Sequence, residues 1–134
     1  MQATGTFEVA EFTPAAVPAG DIKTALPVGV ATMRKTFTGE LDGRSETLFT
    51  AAFDPVSGTG TYVAMESFEG RVAGRSGTFN FVHSAATTGH DRQAEFLTIV
   101  PGSGTAELTG IHGTGALTVD PDGTHHLRLD YEVP

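Results

Sequence analysis

Two titratable residues stand where acid–base chemistry could begin. Glu66 shares a step of two with Tyr62, Ala64 and Phe68, and His83 shares one with Gly77, Phe79 and Phe81. In an extended chain such residues lie on one face, so each polar group sits among large apolar ones. Between them, the run from Gly70 to Gly77 reads as a glycine-rich reversal. Folded back there, the two strands put Glu66 and His83 on one face as near neighbours, not directly opposite. Desolvation raises the pKa of such a carboxyl, and an adjacent imidazolium lowers it. The couple could then take or give a proton near neutral pH, as general acid–base catalysis requires. The competing reading makes both residues buried hydrogen-bonding partners with a structural role only.

Lys35 alternates with Met33 and Phe37. On the apolar face it could neutralise Glu66 across the interior; on the other face its stem would lie along the surface with the ammonium in water. Glu66 and His83 are thus the candidate catalytic residues, and Lys35, Tyr62, Phe79 and Phe81 the candidate ligand-binding ones. The adjacent pair His125-His126 invites a metal reading. Neighbours on a strand point to opposite faces and cannot share one ion, so no metal site is expected. His90 and His112 fall in expected loops. Neither a Gly-x-Ser-x-Gly elbow nor a phosphate-binding Walker loop occurs, and no cofactor is expected.

The elements that would hold these residues repeat a pattern. Phe37-Thr38-Gly39-Glu40-Leu41-Asp42-Gly43 has an apolar residue, a Gly two later and another four after that, as do Phe68, Gly70 and Gly74. Leu108-Thr109-Gly110-Ile111-His112-Gly113 is a looser copy. Strands are expected over Thr4 to Glu11, Val30 to Leu41, Glu46 to Phe53, Thr59 to Glu69, Gly77 to Ser84, Gln93 to Val100, Gly113 to Asp120 and Thr124 to Val133. Asp42 to Ser45, Ala73 to Ser76 and Asp120-Pro121-Asp122-Gly123 serve as turns, and Thr105 to Leu108 is expected to form one helical turn. Thr13 to Pro27 carries three prolines and no periodicity, so it predicts a long connection after the first strand, either a lid across a site or a passive surface loop. Eight evenly spaced strands suggest a closed barrel or a sandwich; closure protects the edges, and the barrel is preferred.

The chain has 134 residues, a length that fits one domain over residues 1–134. Its 17 Gly, 7 Pro and 9 Phe favour strands and turns. The absence of Cys excludes disulfides and thiolate metal sites. A net charge of −8 argues against nucleic acid and anionic membranes as partners. No secretory leader and no apolar membrane span is legible, so a soluble cytoplasmic protein is expected.

Several stretches resemble a known family: Ala3-Thr4-Gly5-Thr6-Phe7-Glu8-Val9, Lys35 to Gly39, Gly74 to Phe79, Val100 to Thr105, Glu107 to Gly110 and Leu129-Asp130-Tyr131. Together they look like an uncharacterised bacterial family of small barrels grouped with the allene oxide cyclase-like proteins. Gly104 to Gly110 is also similar to the glycine corner of plant dirigent proteins. The resemblance implies an eight-stranded barrel; its better-known relatives guide ring closures or couplings of bound apolar substrates. Three readings of function follow. In the first, the barrel binds a small hydrophobic molecule in its lumen as a cofactor-free cyclase or isomerase. The second is a non-catalytic carrier or sensor of such a ligand. The third is a filled barrel acting through its outer surface as a homo-oligomer.

Overall fold

A computed structural model describes residues 1–18 and 20–134. Its strands are β1 (Gln2–Ala15), β2 (Val28–Gly39), β3 (Leu41–Phe53), β4 (Thr59–Val72), β5 (Arg75–Thr88), β6 (Gln93–Ile99), β7 (His112–Val119) and β8 (His125–Glu132). One 3₁₀ turn, Ala106–Leu108, lies between β6 and β7 where a helical turn is expected. Each strand pairs antiparallel with the next, and β8 returns to β1, from Gln2 opposite Asp130 to Phe7 opposite His125. The result is a ring of eight antiparallel strands. Among the described residues no helix is long and apolar enough to cross a membrane.

Strand alternation turns one face of each strand inward. Ala3, Phe7, Phe37, Leu41, Phe68, Val72, Phe79, Phe81, Leu97, Ile99, Leu127 and Leu129 form a packed core at one end of the ring. Gly43 faces Gly70 across β3 and β4, and Gly70 faces Gly77 across β4 and β5. A Cβ on Gly43 would lie 2.2 Å from the Glu69 carbonyl oxygen, so this row of glycines lets the wall bend where a side chain would hold the strands apart.

The first expected reversal is displaced. Chain direction changes at Gly39-Glu40, where Gly39 takes a φ of +124°, and Asp42 to Ser45 already belong to β3. The glycine read as a turn is the close-approach Gly43. The Ala73-Gly74 turn lies as expected, with positive φ at both residues, as two-residue hairpins favour. His112 is no loop residue; it opens β7 opposite Glu132.

β1 also runs further than expected, through Thr13-Pro14-Ala15. Glu11 takes a φ of +56°, and two residues of β1 (Glu11 and Phe12, between Ala10 and Thr13) stand opposite one of β2 (Met33, between Arg34 and Thr32). This bulge shifts the alternation by one, so Phe12 and Pro14 point into the ring although Phe7 does so below it. Beyond Phe7, β1 has no partner on the β8 side, and Pro14, which has no N–H, is tolerated on that free edge. The expected Thr13 to Pro27 connection therefore shortens to residues 16–27; Ala19 within it lies outside the described residues.

Candidate functional site

Above the packed core the ring opens into a cavity of about 500 Å³. Phe12, Pro14, Pro27, Ala31, Phe49, Ala51, Phe53, Tyr62, Ala85 and Thr87 are among its walls. Phe12 and Phe53 keep 56% and 42% of their surface exposed, which leaves aromatic faces at the mouth uncovered. The lining carries no charged side chain, and its hydroxyl-bearing residues are Thr61, Tyr62 and Thr87.

Register explains what lies beneath. On β4, Tyr62, Ala64, Glu66 and Phe68 descend along one face, and their neighbours on β5 are Ala85, His83, Phe81 and Phe79. His83 therefore stands one step above Phe81, diagonal to Glu66. Tyr62 Oη lies 2.8 Å from His83 Nδ1, and His83 Nε2 lies 2.7 Å from Glu66 Oε1. Lys35 Nζ is ion-paired to the same carboxylate oxygen, and Ser45 Oγ donates to Oε2 at 2.8 Å. Glu66 is fully buried and Lys35 nearly so. At the other end, Arg92 Nη2 donates to Tyr62 Oη at 3.1 Å, and Arg92 Nε donates to Glu95 Oε1 at 2.5 Å. The outcome is a hydrogen-bonded line from the rim to the interior: Arg92, Tyr62, His83, Glu66, and then Lys35 and Ser45.

The protonation states follow from this wiring. Burial acts to raise the Glu66 carboxyl, but the His83 hydrogen bond and the Lys35 ammonium outweigh it and hold the group below its ordinary range. A carboxylate only accepts, so His83 carries its proton on Nε2, and Nδ1 is left to accept from the Tyr62 hydroxyl. Burial lowers the His83 imidazole, and the opposing pull of Glu66 does not restore it, so the ring is neutral near pH 7. Burial also raises the Tyr62 phenol, against the pull of Arg92. Packing fixes the rings: Phe49 stacks on Tyr62 at 5.1 Å between centroids, and Phe81 stacks on His83 at 5.8 Å.

Of the residues singled out in the sequence, Glu66, His83, Lys35 and Tyr62 meet in this line. Lys35 is on the inner face, not the outer one. Phe79 and Phe81 share that face but lie in the packed core, away from the cavity walls. His126 is at the surface beside Asp120, and His125 packs on the Phe7 ring, so the two diverge. Arg92 was not anticipated. Ala94 takes a φ of +48° where two residues of β6 (Ala94 and Glu95, between Gln93 and Phe96) stand opposite one of β5 (Ala85, between Ser84 and Ala86). That second bulge flips the alternation and brings Arg92 to Tyr62. No residue pattern marks it, because the bulge residue is not a glycine. One buried polar atom has no partner among the described residues: Thr47 Oγ1, directly opposite Glu66.

These features define an all-β ring with an apolar cavity above a buried acid–base line. Residues 3–131 match the model of a family described as protein of unknown function, DUF3224, and the chain belongs to that family. A solved structure from Shewanella oneidensis MR-1, described as a protein with unknown function from the same family, is similar at 33% identity and a TM-score of 0.86, covering 100% of this chain and 97% of that one. No curated protein matches the chain.

Proposed function

We propose that the protein is a cofactor-independent isomerase or cyclase that holds a small apolar molecule in this cavity and moves one proton through Tyr62. The observation that carries this reading is the Tyr62 hydroxyl, on a residue of a mostly apolar, uncharged wall and bonded to both His83 Nδ1 and Arg92. In the forward step, Tyr62 Oη takes a proton from an acidic C–H of the ligand while its own proton passes to His83 Nδ1. The electron pair left on carbon delocalises onto the ligand's carbonyl oxygen as an enolate. The new imidazolium is balanced by Glu66, and the enolate faces the Arg92 guanidinium. Return of the proton from His83 through Tyr62 to another carbon of the enolate system completes an isomerisation; attack of the enolate carbon on a second carbonyl of the same molecule, with that proton passed through Tyr62 to the new alkoxide, completes a ring closure. Glu66 touches no ligand in this scheme; it positions His83 and fixes its tautomer, with Lys35 and Ser45 holding Glu66 in turn. The walls add catalysis by fixing one conformer, which can be worth several kcal/mol. The likeness of the sequence motifs to allene oxide cyclase-like barrels supports the same chemistry by analogy of fold.

The test is conversion of bicyclic β,γ-unsaturated ketones to conjugated enones, followed by absorbance, with deuterium uptake from heavy water. Turnover should survive chelator and dialysis. Tyr62→Phe and His83→Ala should lower it by about a hundred-fold or more while phenylnaphthylamine, a neutral fluorescent probe, still binds. Dye binding without turnover in the native protein would favour the carrier reading. Unchanged turnover in both variants would remove these residues from the chemistry.

A further inference from the structure

Resting on the cavity reading above, we infer that the ligand is an apolar monoanion whose charged oxygen takes the place of Glu95 on Arg92, beside the Tyr62 hydroxyl. The bulge at Ala94 is the first ground. Without it, the alternation of β6 would turn Arg92 away from the ring; with it, Arg92 reaches the hydroxyl of Tyr62, a wall residue of a cavity whose walls carry no charge. The Arg92 guanidinium carbon lies 5.7 Å from the centre of the Tyr62 ring, so the cation and the Tyr62 hydroxyl form a single polar corner.

The second ground is the kind of partner Arg92 has now. Its side chain is 34% exposed and that of Glu95 43%, so their ion pair is open to solvent. Exposed pairs of this kind hold weakly and exchange readily. The neighbouring acid, Asp91, is held on its own loop by the Thr88 N–H and by Gln93. The interior cation, Lys35, is already matched by Glu66. Arg92 is therefore the charge at this mouth that a ligand can claim, and its planar fork suits a carboxylate or an acidic enol. The net charge of −8 repels anions from the molecule as a whole, so preference for an anion would have to be local.

Two fluorescent probes of similar size separate the contributions: phenylnaphthylamine, which is neutral, and anilinonaphthalene sulfonate, which carries one negative charge. Titrations would use the native protein, Arg92→Met, Glu95→Gln and Ala51→Leu. Arg92→Met should weaken the sulfonate by about five- to ten-fold and change the neutral dye by less than about two-fold. Glu95→Gln, which removes the competitor and leaves the cation, should tighten the sulfonate by about three-fold and not the neutral dye. Ala51→Leu narrows the cavity and should weaken both. Equal responses of the two dyes to the charge variants would overturn the inference while leaving the cavity reading intact. Failure of the neutral dye to bind, or its indifference to Ala51→Leu, would overturn the cavity reading and this inference with it.

Discussion

Replacing Glu66 by Gln tests the wiring without changing its shape. The carboxylate has no exposed surface, and Lys35 retains 5% of its own. The substitution leaves the Lys35 ammonium buried without its counter-ion, beside the Phe7 ring at 4.8 Å. Removing one member of a buried pair costs about 3–5 kcal/mol. Against a total of about 5–15 kcal/mol for a domain, that is a large fraction. With a urea slope of about 1–3 kcal/mol per molar, the unfolding midpoint should fall by roughly 2 M. Lys35→Met should also destabilise, and the double variant Lys35→Met/Glu66→Gln should recover most of the loss, because neither charge is then stranded. Urea unfolding followed by circular dichroism measures all four proteins, and the rescue keeps the test readable if Glu66→Gln alone does not fold. A midpoint shift below about 0.5 M for Glu66→Gln, or losses that simply add in the double variant, would refute the buried-pair argument.

Acid should weaken the fold in two stages. His83 is held neutral, so below about pH 6.5 the unfolded chain takes up a proton that the folded chain resists, and stability starts to fall there. Glu66 is held ionised, so its contribution is complete above the ordinary carboxyl value and is lost as pH falls through its lower folded one. Urea midpoints across this range should show the first stage vanish in His83→Gln. Gly43→Ala should cost about 2 kcal/mol or more by the same measurement, since the added carbon meets the Glu69 carbonyl oxygen at 2.2 Å; a neutral result would show that β3 can shift away from β4. Thr47→Val removes a buried hydroxyl without a protein partner and should be neutral or stabilising by up to about 1 kcal/mol; a loss larger than that would indicate that water or another group satisfies this atom.

Much of the site is written in simple alternation. Lys35, Tyr62, Glu66 and His83 lie on regular stretches of β2, β4 and β5, where parity alone decides the face, and the turn at Ala73-Gly74 sets which residues become neighbours. Depth is another matter. Phe79 and Phe81 share the inward face, but parity carries no information on whether a residue lines the cavity or fills the core below it. The mouth was illegible for a sharper reason. Phe12 and Pro14 come just after a one-residue insertion in the ladder at Glu11, Arg92 just before one at Ala94, and an insertion inverts every assignment on its far side. Left-handed residues that are not glycine leave no mark in the sequence. Gly43 misled in the opposite direction: its freedom from a side chain serves close approach inside β3, not a change of direction.

The order of the strands around the ring follows their order in the chain, with one exception, the seam where β8 meets β1. Every other ladder joins strands adjacent in the chain, with at most twelve residues between them. The seam alone must draw together segments more than a hundred residues apart, as Gln2 and Asp130 are, and it meets the largest loop-closure entropy in the molecule. Folding should therefore run as a ribbon that curls and is latched last, with amide protons across the β1–β8 ladder gaining protection after those of the β3–β4 and β4–β5 hairpins.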